Sequence, residues 1–298
     1  MSSDHTHEQS APSPNQPEGH PLPGVKHIIA VSSGKGGVGK STVTVNLAVA
    51  LKQEGKLVGI MDADIYGPNI PTMIGVTKET GKDGEKILPA EGQGVKVISM
   101  GFFVPEDTPV VWRGPMVHSA IQQFFRDVVW GELDYLLIDL PPGTGDVPLT
   151  LSQLVPLTGA ITVTTPQEVA LQDVRKGMMM FKKVNVPLLG VIENMSYFVC
   201  GHCGERTEIF STGGGERAAQ KFEIPFLGRI PIDPSIREGG DKGNPIVSHD
   251  PSSPQAQGFL QIAQTLVANI EQAEKGNGDA PPSISSLLKK ITDPLKKS

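Results

Sequence analysis

The run VSSGKGGVGKST (residues 31–42) carries the pattern G-x-x-x-x-G-K-[ST], with Gly34, Gly39, Lys40 and Ser41 at the required spacing. Gly34, Gly36, Gly37 and Gly39 let the backbone turn its amides toward a phosphate, and the positive end of a following helix adds to that field. Lys40 has the reach for β- and γ-phosphates and Ser41 the hydroxyl for Mg²⁺; Val38 and Thr42 complete the nucleotide-binding stretch. Two acidic runs, IMDADIYGPN (60–69) and LLIDLPPGTGD (136–146), place carboxylates where apolar strands end. That edge faces the crevice in which open α/β sheets bind ligands. Asp139 therefore reads as the outer-sphere partner of the magnesium, and Gly143 as a flexible point able to sense the γ-phosphate. Asp62 and Asp64 read either as site carboxylates or as helix caps. The lack of an N-K-x-D guanine reader favours ATP.

A second chemistry lies in SYFVCGHCGERTE (196–208), which holds Cys200 and Cys203, the only cysteines among 298 residues. Glycines beside them relieve backbone strain and let amides point at thiolate sulfur, as in a metal knuckle. A dithiol oxidoreductase is the alternative, because a C-x-x-C that opens a helix has an activated thiol; here GERTEIF follows without a helical period. Inert thiols are the third reading. Tetrahedral zinc or an iron–sulfur cluster takes about four ligands, and a two-fold dimer presents one patch twice. On the metal reading, a second copy supplies the other two thiolates. Sulfur ligands alone do not separate zinc from iron. His202 is either a further ligand or solvent-facing.

Composition sets the frame for these motifs. The formal net charge is −6, with 38% hydrophobic and 19% charged residues. An acidic balance argues against general nucleic-acid affinity, which needs excess Lys and Arg. No apolar run approaches the roughly 18 residues of a membrane span, and the amino-terminal stretch lacks the hydrophobic centre of a secretory signal. A cytoplasmic protein with no stable membrane association is expected, and in a reducing compartment paired cysteines favour metal or redox roles over a structural disulfide.

Short apolar runs at 27–32, 56–62, 95–99, 134–140, 160–165, 188–194 and 226–231 predict buried strands. Between them, residues 41–53 predict a helix with Val43, Leu47, Ala50 and Leu51 on one face, and further helices are expected over 116–129, 169–184 and 256–270. This alternation predicts an α/β fold, a doubly wound, mostly parallel sheet flanked by helices. Residues 26–275 form the expected domain. Residues 1–25 read as a disordered tail whose His5, His7 and His20 are solvated, and 276–298 as a flexible tail or, alternatively, a short amphipathic helix through Ile284, Leu287, Leu288 and Ile291. Gly75–Gln93 is expected to be a surface excursion, and Met178–Met180 to fill the core.

Lys35, a second lysine inside GKGGVGKS, resembles the deviant phosphate loop of MinD/ParA-type ATPases. The ordered set SSGKGGVGKST, DADIYGPN, DLPPGTGD, ENMSYFVCGHCG and IPIDPSIREGGDKGNPI, over about residues 20–270, resembles the Mrp/ApbC family of iron–sulfur cluster carrier ATPases. The resemblance implies a P-loop ATPase of the MinD/ParA type, in which Lys35 reaches the partner subunit's phosphates, Asp64 orients the attacking water and Asn194 contacts adenine. It further implies a homodimer bridged by a labile [4Fe–4S] cluster, cluster assembly machinery and recipient apo iron–sulfur proteins as partners, and slow ATP hydrolysis. A positioning ATPase acting at a membrane or DNA surface is the rival, and a zinc-bridged dimer a further one.

Overall fold

A computed structural model describes residues 22–76, 80–103, 114–143 and 146–275. Strand β1 (Val25–Ser33) leads into α1 (Lys40–Gln53), and β2 (Val58–Asp62) into the short α2 (Ile70–Ile74). Short strands β3 (Gly81–Asp83), β4 (Lys86–Leu88) and β5 (Ala90–Gly92) precede β6 (Val95–Ser99). Then follow α3 (Gly114–Asp127), β7 (Leu133–Asp139), α4 (Asp146–Leu154), β8 (Gly159–Thr164), α5 (Glu168–Lys183) and β9 (Leu188–Glu193). A two-stranded hairpin, β10 (Phe198–Val199) and β11 (Arg206–Thr207), precedes α6 (Gly214–Phe222), β12 (Phe226–Arg229), α7 (Pro234–Asp241), α8 (Ile246–His249) and α9 (Pro254–Lys275).

The main sheet runs β12-β9-β8-β1-β7-β2-β6-β5, parallel throughout except where β5 pairs antiparallel with β6. Each run predicted as a strand lies in this sheet. Alternate residues of β1 go to opposite cores: Ile29 and Val31 to the α1 and α9 side, Ile28 and Ala30 to the α3 and α5 side. That two-sided burial is why the strands read as unbroken apolar runs.

Three expectations need correction. The excursion Gly75–Gln93 is exposed only in part: Lys82 and Asp83 of β3 face solvent, but Ile87 is buried, and β5 returns to the sheet with Ala90 and Gly92 buried around an exposed Glu91. Period-two alternation over three residues is too short to stand out from a polar run. Helix α1, predicted to bury one face, is buried at every position from Val43 to Leu51, because α9, α8, α7 and α2 surround the side turned away from the sheet. Met178 fills the core as expected, whereas Met179 is exposed. His5, His7, His20 and the 276–298 segment lie outside the described residues.

Strand register brings the functional edge together. Asp62 pairs with Asp139 across β2 and β7, Asp62 with Ser99 across β2 and β6, and Val31 with Asp139 across β1 and β7. Residues far apart in the chain thus form one row at the carboxyl ends of four strands, beside the loop between β1 and α1.

Candidate functional site

The loop between β1 and α1 borders a cavity of about 250 Å³, lined by Lys35 through Thr42 together with Ser33, Asp64, Asn69, Met73 and Pro142. Helix α1 opens on Gly39, which has φ +78° and offers no side-chain cap. Its first-turn N–H groups are therefore open to an anion, and the helix field favours a negative group there.

Asp139 is fully buried and holds the base of this cavity together. Its Oδ2 accepts from Lys40 Nζ at 2.5 Å and from Ser41 Oγ at 2.7 Å, while its Oδ1 accepts from Thr44 Oγ1 at 2.6 Å. The same Thr44 hydroxyl, which has one hydrogen to share, also lies 3.0 Å from the Lys40 carbonyl, one turn back along α1. The Ser41 hydroxyl and Asp139 carboxylate are hard oxygen donors of the type magnesium takes, so these residues fit that ion.

Lys40 Nζ lies 3.7 Å from Asp64 Oδ2. Burial pushes the Asp64 carboxyl up from its ordinary value, and the Lys40 charge opposes that. Asp62 is more enclosed. It accepts from Ser99 Oγ at 2.9 Å, from the Asp64 amide at 3.2 Å and from the Ile70 amide at 3.3 Å. Burial, reinforced by the negative charge of Asp139, raises its pKa to about 8. The two readings of the acidic pair thus separate: Asp64 lines the cavity, while Asp62 braces the strand end and the start of α2.

Lys35 Nζ donates at 3.2 Å to Gln167 Oε1, just before α5 of its own chain. Gly143 has φ +93°, and its N–H donates to the Ser33 carbonyl at 2.9 Å. Asn194 does not line the cavity. It lies behind the phosphate loop, 6% exposed, with Nδ2 donating to the Val38 carbonyl at 2.9 Å. A Cβ on Gly39 would overlap that same amide nitrogen.

The cysteines sit apart, on the β10–β11 hairpin, with Cys200 half-buried and Cys203 exposed. The Cys200 amide donates to the Glu205 carbonyl at 2.9 Å, and the Gly204 amide closes the turn onto the Cys200 carbonyl at 2.8 Å. Amides of Cys203 and then His202, followed by the Cys203 side chain, hold the Cys200 thiol below its ordinary pKa. Donors aimed at sulfur stabilise a thiolate, the form that binds metal. His202 is exposed, as are Val199, Ile209 and Phe210 around the hairpin. No group of three or more His, Cys, Asp or Glu is arranged to hold a metal among the described residues. The residues sequence reasoning missed are Thr44, Ser99, Gln167, Glu193 and Ser196. Glu193 left a trace, as the only charge ending the apolar run LLGVIE.

The sequence model described as ParA: NUBPL iron-transfer P-loop NTPase matches residues 24–267. An iron–sulfur cluster carrier protein of Aquifex aeolicus is 54% identical over 253 residues, 84% of this chain and 70% of the relative. One of Methanocaldococcus jannaschii is 54% identical over 251 residues, 83% of this chain and 86% of the relative. Among solved structures, a nucleotide-binding protein of Archaeoglobus fulgidus in complex with ADP, with cobalt found, is 42% identical and superposes with a TM-score of 0.68, covering 79% of this chain and 92% of that one. The septum site-determining protein MinD of Pyrococcus horikoshii, complexed with Mg-ADP, is 29% identical with a TM-score of 0.61, over 83% of this chain and 98% of that one. No helix among the described residues is long and apolar enough to cross a membrane.

Proposed function

Because this chain belongs to the NUBPL iron-transfer P-loop NTPase family of the ParA type, we propose that it is an ATP-dependent carrier of iron–sulfur clusters. It hydrolyses ATP, holds a [4Fe–4S] cluster between two copies of itself and passes that cargo to apo iron–sulfur proteins. The observation that carries this reading is the pairing, in one chain, of a built phosphate cavity with an exposed knuckle whose first thiol accepts backbone amides.

Loop amides and the opening of α1 receive the phosphates. Ser41 and Asp139 would hold magnesium, which would supply charge to offset that of the phosphates. Lys40 then exchanges Asp139 for phosphate oxygen, while Ser41 keeps its hydrogen bond to that carboxylate. Asp64, the cavity carboxylate beside Lys40, orients the attacking water. Lys35 leaves Gln167 to meet the partner's nucleotide, and Asn194 contacts adenine through a loop rearrangement that frees it from Val38. At the knuckle, Cys200 and Cys203 supply two thiolates and a second copy supplies two more. Exposure of this hairpin is what delivery requires, because a recipient's thiols must reach the cargo to displace these ligands.

Anaerobic reconstitution tests the proposal. About four irons per dimer are expected, lost on replacement of Cys200 and Cys203 by serine; a full iron complement in that double variant, or zinc alone under reconstituting conditions, would refute it. Likeness to MinD favours a second reading, a positioning ATPase at a membrane. Sedimentation with liposomes of anionic lipid, with and without ATP, separates the two.

A further inference from the structure

The two candidate sites are joined by one turn, Glu193–Ser196, in which adjacent side chains serve opposite clients. Asn194 holds the phosphate loop through Val38, at 2.9 Å. Glu193, fully buried, holds the cysteine segment at both of its ends. Its Oε1 accepts from Ser196 Oγ at 2.6 Å, where the chain leaves β9 for the hairpin. Its Oε2 accepts from the Gly215 amide at 2.5 Å, where the chain returns to open α6. Arg229 Nε lies 3.7 Å from the same carboxylate.

Main-chain bonds, and the Arg217 guanidinium donating to the Thr212 carbonyl at 2.8 Å, also tie the segment down. The Ser196 amide donates to the Ile230 carbonyl at 2.9 Å, and the Ile232 amide to the Tyr197 carbonyl at 2.7 Å. Between the two clients sits Met195, at φ +52°, a left-handed conformation that non-glycine residues seldom adopt. Such a backbone persists only where its surroundings hold it, and here both neighbours are pinned by buried side-chain bonds.

Taking both sites as read above, we propose that Glu193 is a positioning residue that couples them: its carboxylate clasps the base of the cysteine hairpin to the strand end on which Asn194 senses the phosphate loop. Filling the loop with phosphate changes the surroundings of the Val38 carbonyl and so the position of Asn194. Because Glu193 is the next residue and is bonded to both roots of the hairpin, the displacement moves the segment that bears the thiols. A ligand shifts such an equilibrium only through a difference in contact between two states, and the Asn194–Val38 bond is where that difference arises. By linkage, metal on the thiols must alter nucleotide affinity by the same factor.

Hydrogen exchange on the full-length, metal-free protein, with and without MgADP, tests the route without a cluster. In the parent protein, MgADP is expected to slow exchange in residues 36–41 and to change it about fivefold or more at the Cys200, Gly204 and Gly215 amides. In Ser196→Ala and Glu193→Gln, protection of residues 36–41 should persist, while the response at Cys200 and Gly204 falls below about twofold. Folded variants that keep the parent's response, or a parent that shows none at the hairpin, would overturn the coupling. Should Glu193→Gln fail to fold, Ser196→Ala decides. A purely structural role would slow or speed hairpin exchange equally in both nucleotide states. The Cys200→Ser, Cys203→Ser protein should keep the response. If iron binding fails while this response survives, the cluster reading falls and the coupling stands.

Discussion

The phosphate loop and the cysteine hairpin differ most in how strongly their surroundings hold them. At the first, a fully buried carboxylate, Asp139, has both oxygens engaged by three side chains of α1. At the second, an exposed two-residue ladder and two turn bonds set the thiols, and nothing lies within 4 Å of where a Cβ on Gly204 would stand. Phosphoryl chemistry relies on preorganised charge, so rigidity suits the one; a cargo site must let another protein in, so openness suits the other.

That contrast is most sharply broken by separating the two functions. Replacement of Lys40 by alanine should weaken ATP binding or hydrolysis by on the order of a hundredfold or more while leaving iron binding intact; the paired cysteine-to-serine variant should do the reverse, with metal-free nucleotide affinity within about threefold. Titration calorimetry and iron analysis on the same preparations check both. If Lys40→Ala also lost its iron, the sites would not be separable.

The pH dependence of stability belongs to the enclosed site. Folding raises the Asp62 pKa from the carboxylate range to about 8, so between roughly pH 4 and 8 the native state binds the proton and the unfolded chain does not. Stability from this residue is present at the acid end and is lost as pH rises through about 8. Asp62→Asn should flatten that slope, by on the order of a few kcal/mol across the window, as followed by thermal unfolding from pH 4 to 9.

A smaller effect compares two glycines with the same backbone conformation. Gly39 has φ +78° and Gly204 φ +74°. Alanine at 204 should cost about 1 kcal/mol, the left-handed penalty alone. At 39 it should cost about 2 kcal/mol or more, because the added methyl also presses on Asn194. Chemical denaturation reads both, and equal losses would show that Asn194 yields easily.

The strand runs were legible because two-sided burial imposes unbroken apolar stretches, and the phosphate loop because its glycines, Lys40 and Ser41 act at fixed local spacing. Helices α2, α4, α6, α7 and α8 went unpredicted: they are short, and Gly214, Gly215, Gly239 and Gly240 within two of them read as turn. At the site, the types and spacing of Lys40, Ser41, Cys200 and Cys203 were readable, whereas their partners were not.

The amino-acid sequence by itself determined the strand and helix alternation, the phosphate-binding loop and the presence of a thiol pair, since each depends on neighbours a few positions away. Tertiary structure alone decided that Asp62 rather than Asp64 is sealed from solvent, that Asn194 stands behind the loop, and that Glu193 ties both roots of the hairpin. Those outcomes depend on strand order and register, which bring together groups such as Lys40 and Asp139, 99 positions apart, and no local pattern encodes a contact between residues that only the sheet makes adjacent.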